Sequence, residues 1–449
     1  MRARFIGSKG MMMHDFRIRR TVATLLPLLA VSAPVSAGDL ACTPTEAFRT
    51  TPSYPVGSSP FAIAAGDLNG DGAPDLATID RVDETLSLLI NRGDGTFLPR
   101  LEVPGAVGGR GVMIADINGD GLPDLLAATP ADSVQVQVNR GDLTFGPVTE
   151  LFVGEGPATI KVGDLNEDGA PDLVVPTLFS QDVSILLNQG DGTFAPEFRL
   201  AGGEQPEDAA LADFTGDGYL DIVISRSETE SVGLYPGNGD GTFQSERIFP
   251  GAGWARKFTA ADLNGDGAPD VALALATWEL SIMLNTGDGT LVPGSRYESW
   301  GAFGITAGDV DQDGTDDIVV ANRYNGDAGV FLNRGDGTFE PATRYGTGAG
   351  ANDAAIADFN LDGHSDVATA NKHQNSVSVL LNTGDWTYPV VDSYGRDGLE
   401  FPQAADFNGD GFTDLVGVFS NSRRLRFELN DGQGGFGASP VEINLGTDI

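Results

Sequence analysis

The sequence predicts an all-β protein, a β-propeller of four-stranded antiparallel blades, with eight blades favoured and seven as the alternative. A nine-residue segment, D-L-N-G-D-G-A-P-D in its first copy, recurs every 47 to 49 residues along nearly the whole chain. Such even spacing indicates one repeat array rather than several domains. The eight copies begin at Asp67, Asp116, Asp164, Asp213, Asp262, Asp309, Asp358 and Asp406.

Each repeat contains four short apolar runs bounded by glycine and aspartate, a pattern typical of β-strands. In the first repeat these runs occupy residues 61–65, 75–79, 86–90 and 97–103. Four strands in a repeat of this length match the size of one propeller blade. The 61 glycines and 25 prolines indicate many turns, and no segment sustains a helical period.

A second motif lies between the third and fourth runs of a repeat. It reads Asn-x-Gly-Asp-Gly over residues 91–95 and returns from Asn188, Asn285 and Asn333. Asp-Gly favours a hairpin turn because glycine adopts positive φ at low cost. The phenylalanine that follows, Phe97 in the first repeat, is predicted to pack between neighbouring blades.

The formal net charge of −37 favours cations as partners. A surface this acidic repels phosphates, so the composition excludes nucleic acid and anionic membranes as partners. The acidic residues recur in short clusters, as metal-binding loops require, and do not form a solvated coat or a tail. No stretch approaches the roughly 20 apolar residues of a membrane-spanning helix.

The N-terminus has the pattern of a secretory signal peptide. Basic residues up to Arg20 precede an apolar run over 21–31, and Val35-Ser36-Ala37 is a small-residue cleavage signal. We therefore expect a signal peptide over 1–37, cut near Ala37. The sequence predicts a protein that is secreted to the extracellular space or the cell envelope.

The rest of the chain is predicted to be a linker over 38–47 followed by the propeller over 48–449. Cys42 is the one cysteine, so no intramolecular disulfide can form. We therefore expect bound calcium, rather than a disulfide, to stabilise this exported protein. Lipid attachment at Cys42 stays open as an alternative role for that residue.

With eight Asp-rich segments and recurring Asn-x-Gly-Asp-Gly turns, the sequence resembles the FG-GAP or VCBS repeat family, which includes the propeller of integrin α chains. The resemblance covers about residues 48–445 and implies calcium loops that join the first two strands of each blade. Integrin heads have seven blades, whereas this chain offers eight equal repeats. Outer-type strands stand at both ends, over 48–56 and 436–445, so the sequence leaves open which one closes the ring.

The Asp-rich segment has the residue types of a calcium loop. Calcium takes 6–8 oxygen ligands, which a short loop supplies from alternate positions. In the first loop these ligands are Asp67, Asn69 and Asp71. The carbonyl of Ala73 is a further candidate, and Asp75 closes the site in the nine-residue form that the family resemblance implies.

All eight loops carry aspartate at positions 1, 5 and 9, so about eight Ca²⁺ are expected per chain. Thr215 stands at position 3 of the fourth loop, which is therefore the weakest candidate. Simple Asx turns are the alternative interpretation. The candidate metal ligands are Asp67, Asn69, Asp71, Ala73, Asp75, Asp116, Asn118, Asp120, Leu122, Asp124, Asp164, Asn166, Asp168, Ala170, Asp172, Asp213, Thr215, Asp217, Tyr219, Asp221, Asp262, Asn264, Asp266, Ala268, Asp270, Asp309, Asp311, Asp313, Thr315, Asp317, Asp358, Asn360, Asp362, His364, Asp366, Asp406, Asn408, Asp410, Phe412 and Asp414.

The rim opposite the calcium loops differs between repeats and is predicted to carry the binding site. Six residues before each first aspartate stand Phe61, Arg110, Ala158, Glu207, Arg256, Phe303, Asn352 and Glu400. The candidate ligand-binding residues on this rim, which mix aromatic and charged side chains, are Arg110, Trp254, Arg256, Lys257 and Tyr324. Ordinary variation among loops is the competing interpretation.

The sequence contains no nucleophile elbow, phosphate loop or zinc pattern, and the metal loops account for its acid pairs. We therefore predict a non-enzymatic, calcium-binding module for adhesion, recognition or scaffolding, with an extracellular protein or glycan as partner. A lectin or a calcium-dependent polysaccharide lyase is the alternative, by analogy at the level of the fold. Trp254, Trp278 and Trp300 stand at different places in their repeats, which weakens a lectin with one pocket per blade.

Overall fold

The structure, a computed structural model, describes residues 48–50, 53–104, 109–384, 399–405, 414–419, 424–428 and 441–444. The signal peptide predicted over 1–37 and the linker over 38–47 lie outside the described residues. Within these ranges the protein is all-β, as predicted, and its one helical element is a 3-10 turn at Ser227–Thr229. Over the same ranges, no helix has the length and apolar character needed to cross a membrane.

Each repeat forms one antiparallel sheet, and two short N-terminal strands join the sheet of the seventh repeat. The strands that precede and form the first three blades are β1 (Phe48–Thr50), β2 (Tyr54–Pro55), β3 (Pro60–Gly66), β4 (Asp75–Asp80), β5 (Thr85–Leu89), β6 (Leu101–Pro104), β7 (Gly111–Ala115), β8 (Asp124–Thr129), β9 (Ser133–Gln137), β10 (Thr149–Phe152), β11 (Lys161–Gly163), β12 (Asp172–Thr177), β13 (Asp182–Leu186) and β14 (Phe198–Ala201). The remaining strands are β15 (Ala209–Ala212), β16 (Asp221–Arg226), β17 (Ser231–Tyr235), β18 (Arg247–Pro250), β19 (Ala255–Ala261), β20 (Asp270–Leu275), β21 (Glu279–Asn285), β22 (Leu291–Glu298), β23 (Ala302–Gly308), β24 (Asp317–Asn322), β25 (Asp327–Phe331), β26 (Thr343–Gly346), β27 (Ala351–Ala357), β28 (Asp366–Asn371), β29 (Ser376–Asn382), β30 (Leu399–Ala405), β31 (Asp414–Phe419), β32 (Arg424–Glu428) and β33 (Val441–Asn444).

Burial across a blade follows the hydrophobic pattern of its strands. The second strand of the first blade, β4, is buried at every position, as continuous apolar runs predict for a strand covered on both faces. The outer strand β10 of the second blade is largely exposed. Seven buried clusters each join two neighbouring blades, so the core lies between the sheets all around the ring.

The ring closes after seven blades. The innermost strand β3 of the first blade contacts β27 of the seventh, and one buried cluster joins these two blades. On the outer side of the seventh blade, β1 and β2 both pair with β29. Together they take the place of the fourth strand of that blade. Because these contacts occupy both the inner junction and the outer edge, no gap remains for another blade. The favoured eight-bladed ring is therefore wrong, the seven-bladed alternative is confirmed, and the N-terminal strands close the ring.

The eighth repeat forms a separate four-stranded antiparallel sheet, β30 to β33 in sequence order. Its predicted calcium ligands Asp406, Asn408, Asp410 and Phe412 lie outside the described residues, as does the side chain of Asp414 at the start of β31.

The fourth strand begins later than the sequence pattern predicts in the first blade, whereas β22 of the fifth blade begins at Leu291, the position that corresponds to Phe97. In the first blade, β6 begins at Leu101, whereas Phe97 forms an isolated bridge with Asn91 that closes the hairpin turn. The ring of Phe97 lies 5.8 Å from that of Phe359 in the seventh blade and 5.1 Å from that of Tyr54. The predicted packing of this phenylalanine between blades is confirmed.

A chain that ends at Gly384 should retain a cooperative melting transition close to that of the full chain, because the closed ring does not need the eighth sheet. A chain that begins at Gly57 should lose at least about 3 kcal/mol of unfolding free energy, since removal of β1 and β2 leaves β29 an unpaired edge strand. Chemical denaturation of both truncations measures this difference. Equal losses from the two truncations would contradict closure by the N-terminal strands.

Candidate functional site

In the seven Asp-rich loops that the structure describes, the first aspartate organises the backbone of its own loop. The Oδ1 atom of Asp67 accepts hydrogen bonds from the backbone N–H of Gly70 at 2.8 Å and of Asp71 at 3.1 Å. Its Oδ2 atom accepts one from Gly72 at 2.8 Å, and Gly72 has a φ of 89°, which favours glycine. The carboxylate therefore lies inside a turn whose carbonyl and carboxylate oxygens are held in a fixed arrangement.

Positions 5 and 7 are connected in the same way in every described loop, and position 3 donates its amide to position 5 in the five described loops where it is asparagine. The Asn69 amide donates to Asp71 Oδ2 at 2.9 Å, and the other oxygen of Asp71 accepts the backbone N–H of Ala73 at 2.9 Å. The bond from position 7 to position 5 is present in all seven described loops, whose position-7 residues are Ala73, Leu122, Ala170, Tyr219, Ala268, Thr315 and His364.

The aspartate at position 9 is fully buried and connects the loop to the hairpin turn. Asp75 accepts the backbone N–H of Leu68 at 3.0 Å with one oxygen and that of Asn91 at 2.8 Å with the other. Burial, opposed in part by these hydrogen bonds, raises the pKa of the position-9 carboxyls: to about 6 for Asp75, Asp172 and Asp270, to about 7 for Asp317 and Asp366, and above the usual range for Asp124 and Asp221. A nearby cation would offset this penalty on the charged form.

The asparagine of the turn then joins each blade to the preceding one. The side-chain amide of Asn91 donates to the carbonyl of Phe359, position 2 of the Asp-rich loop in the seventh blade, at 2.8 Å. Equivalent bonds run from Asn139 to Leu68, Asn188 to Ile117, Asn285 to Phe214, Asn333 to Leu263 and Asn382 to Val310. The fourth blade has Gly237 at this place and lacks the side chain that makes the bond.

The sixth loop brings its carboxylates into the arrangement that best suits a cation. Ligand oxygens of Asp309, Asp311 and Asp317 lie within 4.8 Å of one another. The Oδ1 atom of Asp309 is buried and has no hydrogen-bond partner among the described residues, which is costly for a carboxylate unless an ion or water meets it. An all-oxygen donor set is the set that calcium prefers, so these residues fit the predicted ion.

The fourth loop, which has threonine at position 3, departs from the other described loops in its hydrogen bonds. Here the backbone N–H of Thr215 at position 3, rather than that of position 2, donates to Asp221 at 2.8 Å. The remaining turn is conserved in form, since Asp213 accepts from Gly216 at 2.7 Å and from Gly218 at 2.8 Å. The loop keeps its shape but lacks the amide that donates to position 5 in the five described loops with asparagine at position 3.

On the opposite rim, one cavity of about 260 Å³ opens at the axis of the ring. Its lining residues are Phe61, Arg81, Arg110, Ala158, Thr159, Glu207, Arg256, Lys257, Phe303, Arg323 and Lys372. We call this cavity the axial pocket. It collects six of the eight residues that precede the first aspartates by six positions; Asn352 is buried and donates to the carbonyl of Phe61 at 2.6 Å, and the side chain of Glu400 lies outside the described residues.

A β-bulge at the start of the innermost strand places several of these residues at the axis. The register shifts at Phe61 in β3, at Arg256 in β19 and at Phe303 in β23. A bulge inserts one residue opposite a single partner and redirects its side chain. The bulged residues therefore leave the alternation of the strand and line the axial pocket.

Three further cations come from the turns between the second and third strands. Arg81, Arg323 and Lys372 occupy the same place in the first, sixth and seventh blades, one residue after the second strand. The backbone N–H of each donates to a carbonyl two residues before the bulge position, with lengths of 3.2, 3.0 and 2.9 Å. The sequence analysis missed these residues, although their shared place after a strand was a usable signal.

The cations of the axial pocket pack on its two phenylalanine rings. Arg81 and Lys372 lie over Phe61, at 4.8 and 4.9 Å from the ring centroid. Over Phe303 lie the guanidinium of Arg256, at 4.9 Å, and that of Arg323, at 4.8 Å. Cation–π contacts stabilise such charges modestly, by about 0.5–2 kcal/mol each.

The positive charges in the axial pocket also repel one another. Burial, with added repulsion from neighbouring arginines, lowers the pKa of Arg81 and of Arg323, and lowers that of Lys372 to about 8. Burial raises the pKa of Glu207, while Arg256 and Arg110 oppose that rise. The pocket is therefore an electropositive site in a strongly acidic protein.

The structure brings three of the five predicted ligand-binding residues together. Arg110, Arg256 and Lys257 line the axial pocket, and Lys257 is paired with Asp353 at 2.7 Å. Trp254 and Tyr324 do not line the pocket and are exposed. Tyr324 instead forms a surface pair with another tryptophan.

That exposed aromatic pair lies in adjacent turns of the fifth and sixth blades. The rings of Trp278 and Tyr324 have centroids 6.0 Å apart, and the two residues are 58% and 67% exposed. Tyr324 follows Arg323 of the axial pocket in sequence, so the pair lies on the same rim as the pocket. Large exposed aromatic side chains of this kind are typical of recognition surfaces.

The sequence profile described as FG-GAP-like repeat matches the chain at residues 67–127, 116–175, 177–224, 213–273, 265–320, 309–369 and 358–417. Among curated proteins, none matches the sequence.

Solved structures share the propeller fold at low sequence identity. BBS1N in complex with ARL6DN is similar in a lead-soaked crystal (TM-score 0.57, 15% identity, 75% of this chain and 97% of that chain covered) and in a mercury-soaked crystal (0.55, 14%, 75% and 97%). A lectin of Agrocybe aegerita, described as recognising non-reducing terminal N-acetylglucosamine, has a TM-score of 0.50 at 23% identity and covers 72% of this chain and 86% of that chain. At these identities the likeness concerns the fold.

Replacement of Asn139 by alanine should lower the unfolding free energy by about 1–3 kcal/mol, because the buried carbonyl of Leu68 loses its donor. The matched control is Asn238→Ala in the fourth blade, whose exposed amide bonds only to its own turn, and it should stay within about 0.5 kcal/mol of the parent chain. Chemical denaturation measures both variants. Equal effects would show that the asparagine stabilises its turn and not the blade junction.

Replacement of Lys372 by methionine should raise the Tm at pH 7. The folded-state pKa of about 8 lies below the ordinary value of 10.5, so charged Lys372 destabilises the fold below pH 8, and this penalty disappears as the pH rises to about 10.5. The gain should therefore shrink between pH 8 and pH 10.5 in thermal melts. Lys257→Met, which breaks the ion pair with Asp353, is the control and should lower the Tm.

Proposed function

This chain belongs to the FG-GAP-like repeat family, and on that premise we propose that it is an extracellular, calcium-stabilised binding module. The observation that carries the proposal is the contrast between the two rims. One rim repeats the same oxygen-rich loop in every described blade of the ring, while the other gathers different residues from several blades into one pocket. Repetition suits a structural ion, and asymmetry suits a single ligand.

Calcium is the proposed ion, with about eight sites per chain when the loop of the eighth repeat is included. The side chains at positions 1, 3, 5 and 9 and the carbonyl at position 7 would hold it. Bound calcium would supply positive charge beside carboxylates whose burial otherwise penalises ionisation. In support, Asp309 carries a buried oxygen without a partner next to two further carboxylates.

We propose recognition of a glycan or a protein, and no catalysis. The similar solved structures support propellers of this fold as binding modules, since one is a complex with ARL6DN and another is a lectin. Secretion rests on the signal-peptide pattern over 1–37. Adhesion or scaffolding at the cell surface is the expected setting for such a module.

A calcium-dependent polysaccharide lyase is the second candidate. The observation that favours it is Lys372, whose pKa of about 8 would let it act as a base among arginines that can hold a carboxylate. To separate the two candidate functions, an acidic oligosaccharide is incubated with the protein for a long time and is then recovered and analysed. Intact sugar supports binding alone, and shortened products with a new double bond support the lyase.

Removal of calcium should lower the Tm by about 10 °C or more. A site at tenfold ligand excess contributes about 1.4 kcal/mol, so several sites acting on one cooperative ring amount to much of the stability of a domain. Thermal melts with calcium, with chelator and with magnesium measure the effect. Magnesium should fail to restore the Tm because it requires rigid octahedral sites.

Two matched variants of the fifth blade test which residues bind calcium. Asp266→Asn, in the calcium loop, should reduce the number of bound ions by one, whereas Asp288→Asn removes the same charge from an exposed turn and should leave it unchanged. Elemental analysis counts the ions. Two or fewer ions per chain, or a Tm that is insensitive to chelation, would overturn the calcium proposal.

A further inference from the structure

We propose that the axial pocket binds the carboxylate-bearing end unit of an acidic glycan, such as a hexuronate. This inference rests on the proposed binding function and names its ligand class. It begins from the charge of the pocket lining, where six of the eleven residues are arginine or lysine and one, Glu207, is acidic.

Most of this positive charge lacks a counter-charge. Lys257 is paired with Asp353, but among the described residues no carboxylate lies within ion-pair distance of Arg81, Arg110 or Arg256. The same holds for Arg323 and Lys372, and the Nε atom of Arg323 is buried without a hydrogen-bond partner. A guanidinium offers five donors in a planar fork that matches a carboxylate, so an anion would satisfy donors that the protein leaves free.

The overall charge of the protein does not explain this cluster of positively charged residues. The chain carries 64 acidic and 27 basic residues, so a basic cluster of this density runs against its composition. Fixed cations in a concave, partly desolvated site focus the local potential and attract small anions even when the whole molecule is acidic. Bulky polyanions such as nucleic acid would instead be repelled by the net negative charge of the whole protein.

The dimensions of the pocket favour one end unit of a chain. A cavity of about 260 Å³ is slightly smaller than the roughly 300–1,000 Å³ of sites that enclose a drug-sized ligand. Its lining includes the edge-to-face pair of Phe61 and Phe303, with ring centroids 5.9 Å apart, and four of the cations pack on these rings. The cations are therefore held close together in a space that suits the carboxylate of one sugar unit.

Two further features favour a sugar over an inorganic anion. Glu207 lies among the arginines, where its carboxylate can accept hydrogen bonds from the hydroxyls of a sugar, which sulfate lacks. Next to Arg323, the exposed rings of Trp278 and Tyr324 offer a surface on which a second sugar unit can pack. An acidic glycan meets all of these groups, whereas an isolated anion meets only the cations.

The experiment is calorimetric titration of the full, calcium-loaded chain with trigalacturonate. We expect binding that weakens as salt is raised and that falls at least about tenfold in Arg323→Gln and in Arg81→Gln. Arg140→Gln, which removes the same charge from an exposed turn on the calcium rim, should bind like the parent chain. A neutral galactose trimer should not bind, because it lacks the carboxylates.

Thermal melts separate lost binding from lost folding. Both pocket variants should melt at or above the Tm of the parent chain, since each removes a repelling charge. The inference is overturned if trigalacturonate does not bind, or if its affinity is the same in Arg323→Gln as in the parent chain. It is also overturned if inorganic phosphate or triglutamate binds as tightly as trigalacturonate.

Other outcomes distinguish this inference from the proposed function. A different glycan or a protein that binds at the aromatic pair, and not at the pocket, overturns the inference and leaves the proposed function intact. Binding of trigalacturonate with a Tm insensitive to chelation supports the pocket and contradicts the structural role of calcium. Cleavage of trigalacturonate supports the ligand class and contradicts the non-enzymatic function.

Discussion

The buried aspartate that closes each loop is the constraint on which the ring depends. In the first blade, Asp75 bonds to the backbone of its own loop and of the following hairpin turn, and Asn91 of that turn bonds to the preceding blade. One carboxylate thus fixes the loop, the turn and, through the turn, the junction between blades. Its burial is costly, as the raised pKa shows, so the surrounding N–H donors and any bound cation must offset that cost.

The fourth blade lacks one of the hydrogen bonds that join neighbouring blades, and it shows how the ring tolerates this absence. Gly237 replaces the linking asparagine there, yet its backbone N–H still donates to Asp221 at 2.7 Å. The junction with the third blade is held by the bond from Gly241 to Leu165 at 3.0 Å and by the hydroxyl of Tyr235, which donates to Ala201 at 2.6 Å. A ring distributes its stability over many junctions, so the absence of one bond at one junction can be tolerated.

The two rims differ because one carries the repeated bonds between blades and the other does not. Most junctions use the same loop, turn and asparagine, so the rim of the Asp-rich loops repeats from blade to blade. On the opposite rim, contacts between blades such as that of Asn352 with Phe61 differ from one junction to the next. Bulged residues and strand-end residues from separate blades meet at the axis, where Arg81, Arg256 and Arg323 become neighbours although far apart in sequence.

The sequence by itself determined the blade, its strands and its oxygen-rich loops, because spacing, alternation and Asp-Gly turns are local properties of the chain. Only the tertiary structure decided the number of blades in the ring, since closure depends on whether β1 and β2 reach β29 across the whole array. The axial pocket was likewise only half visible in sequence. Arg110 and Arg256 stand at a regular place before each loop, but Arg323 and Lys372 reach the same cavity from different turns, and only the convergence of the blades on one axis brings them together.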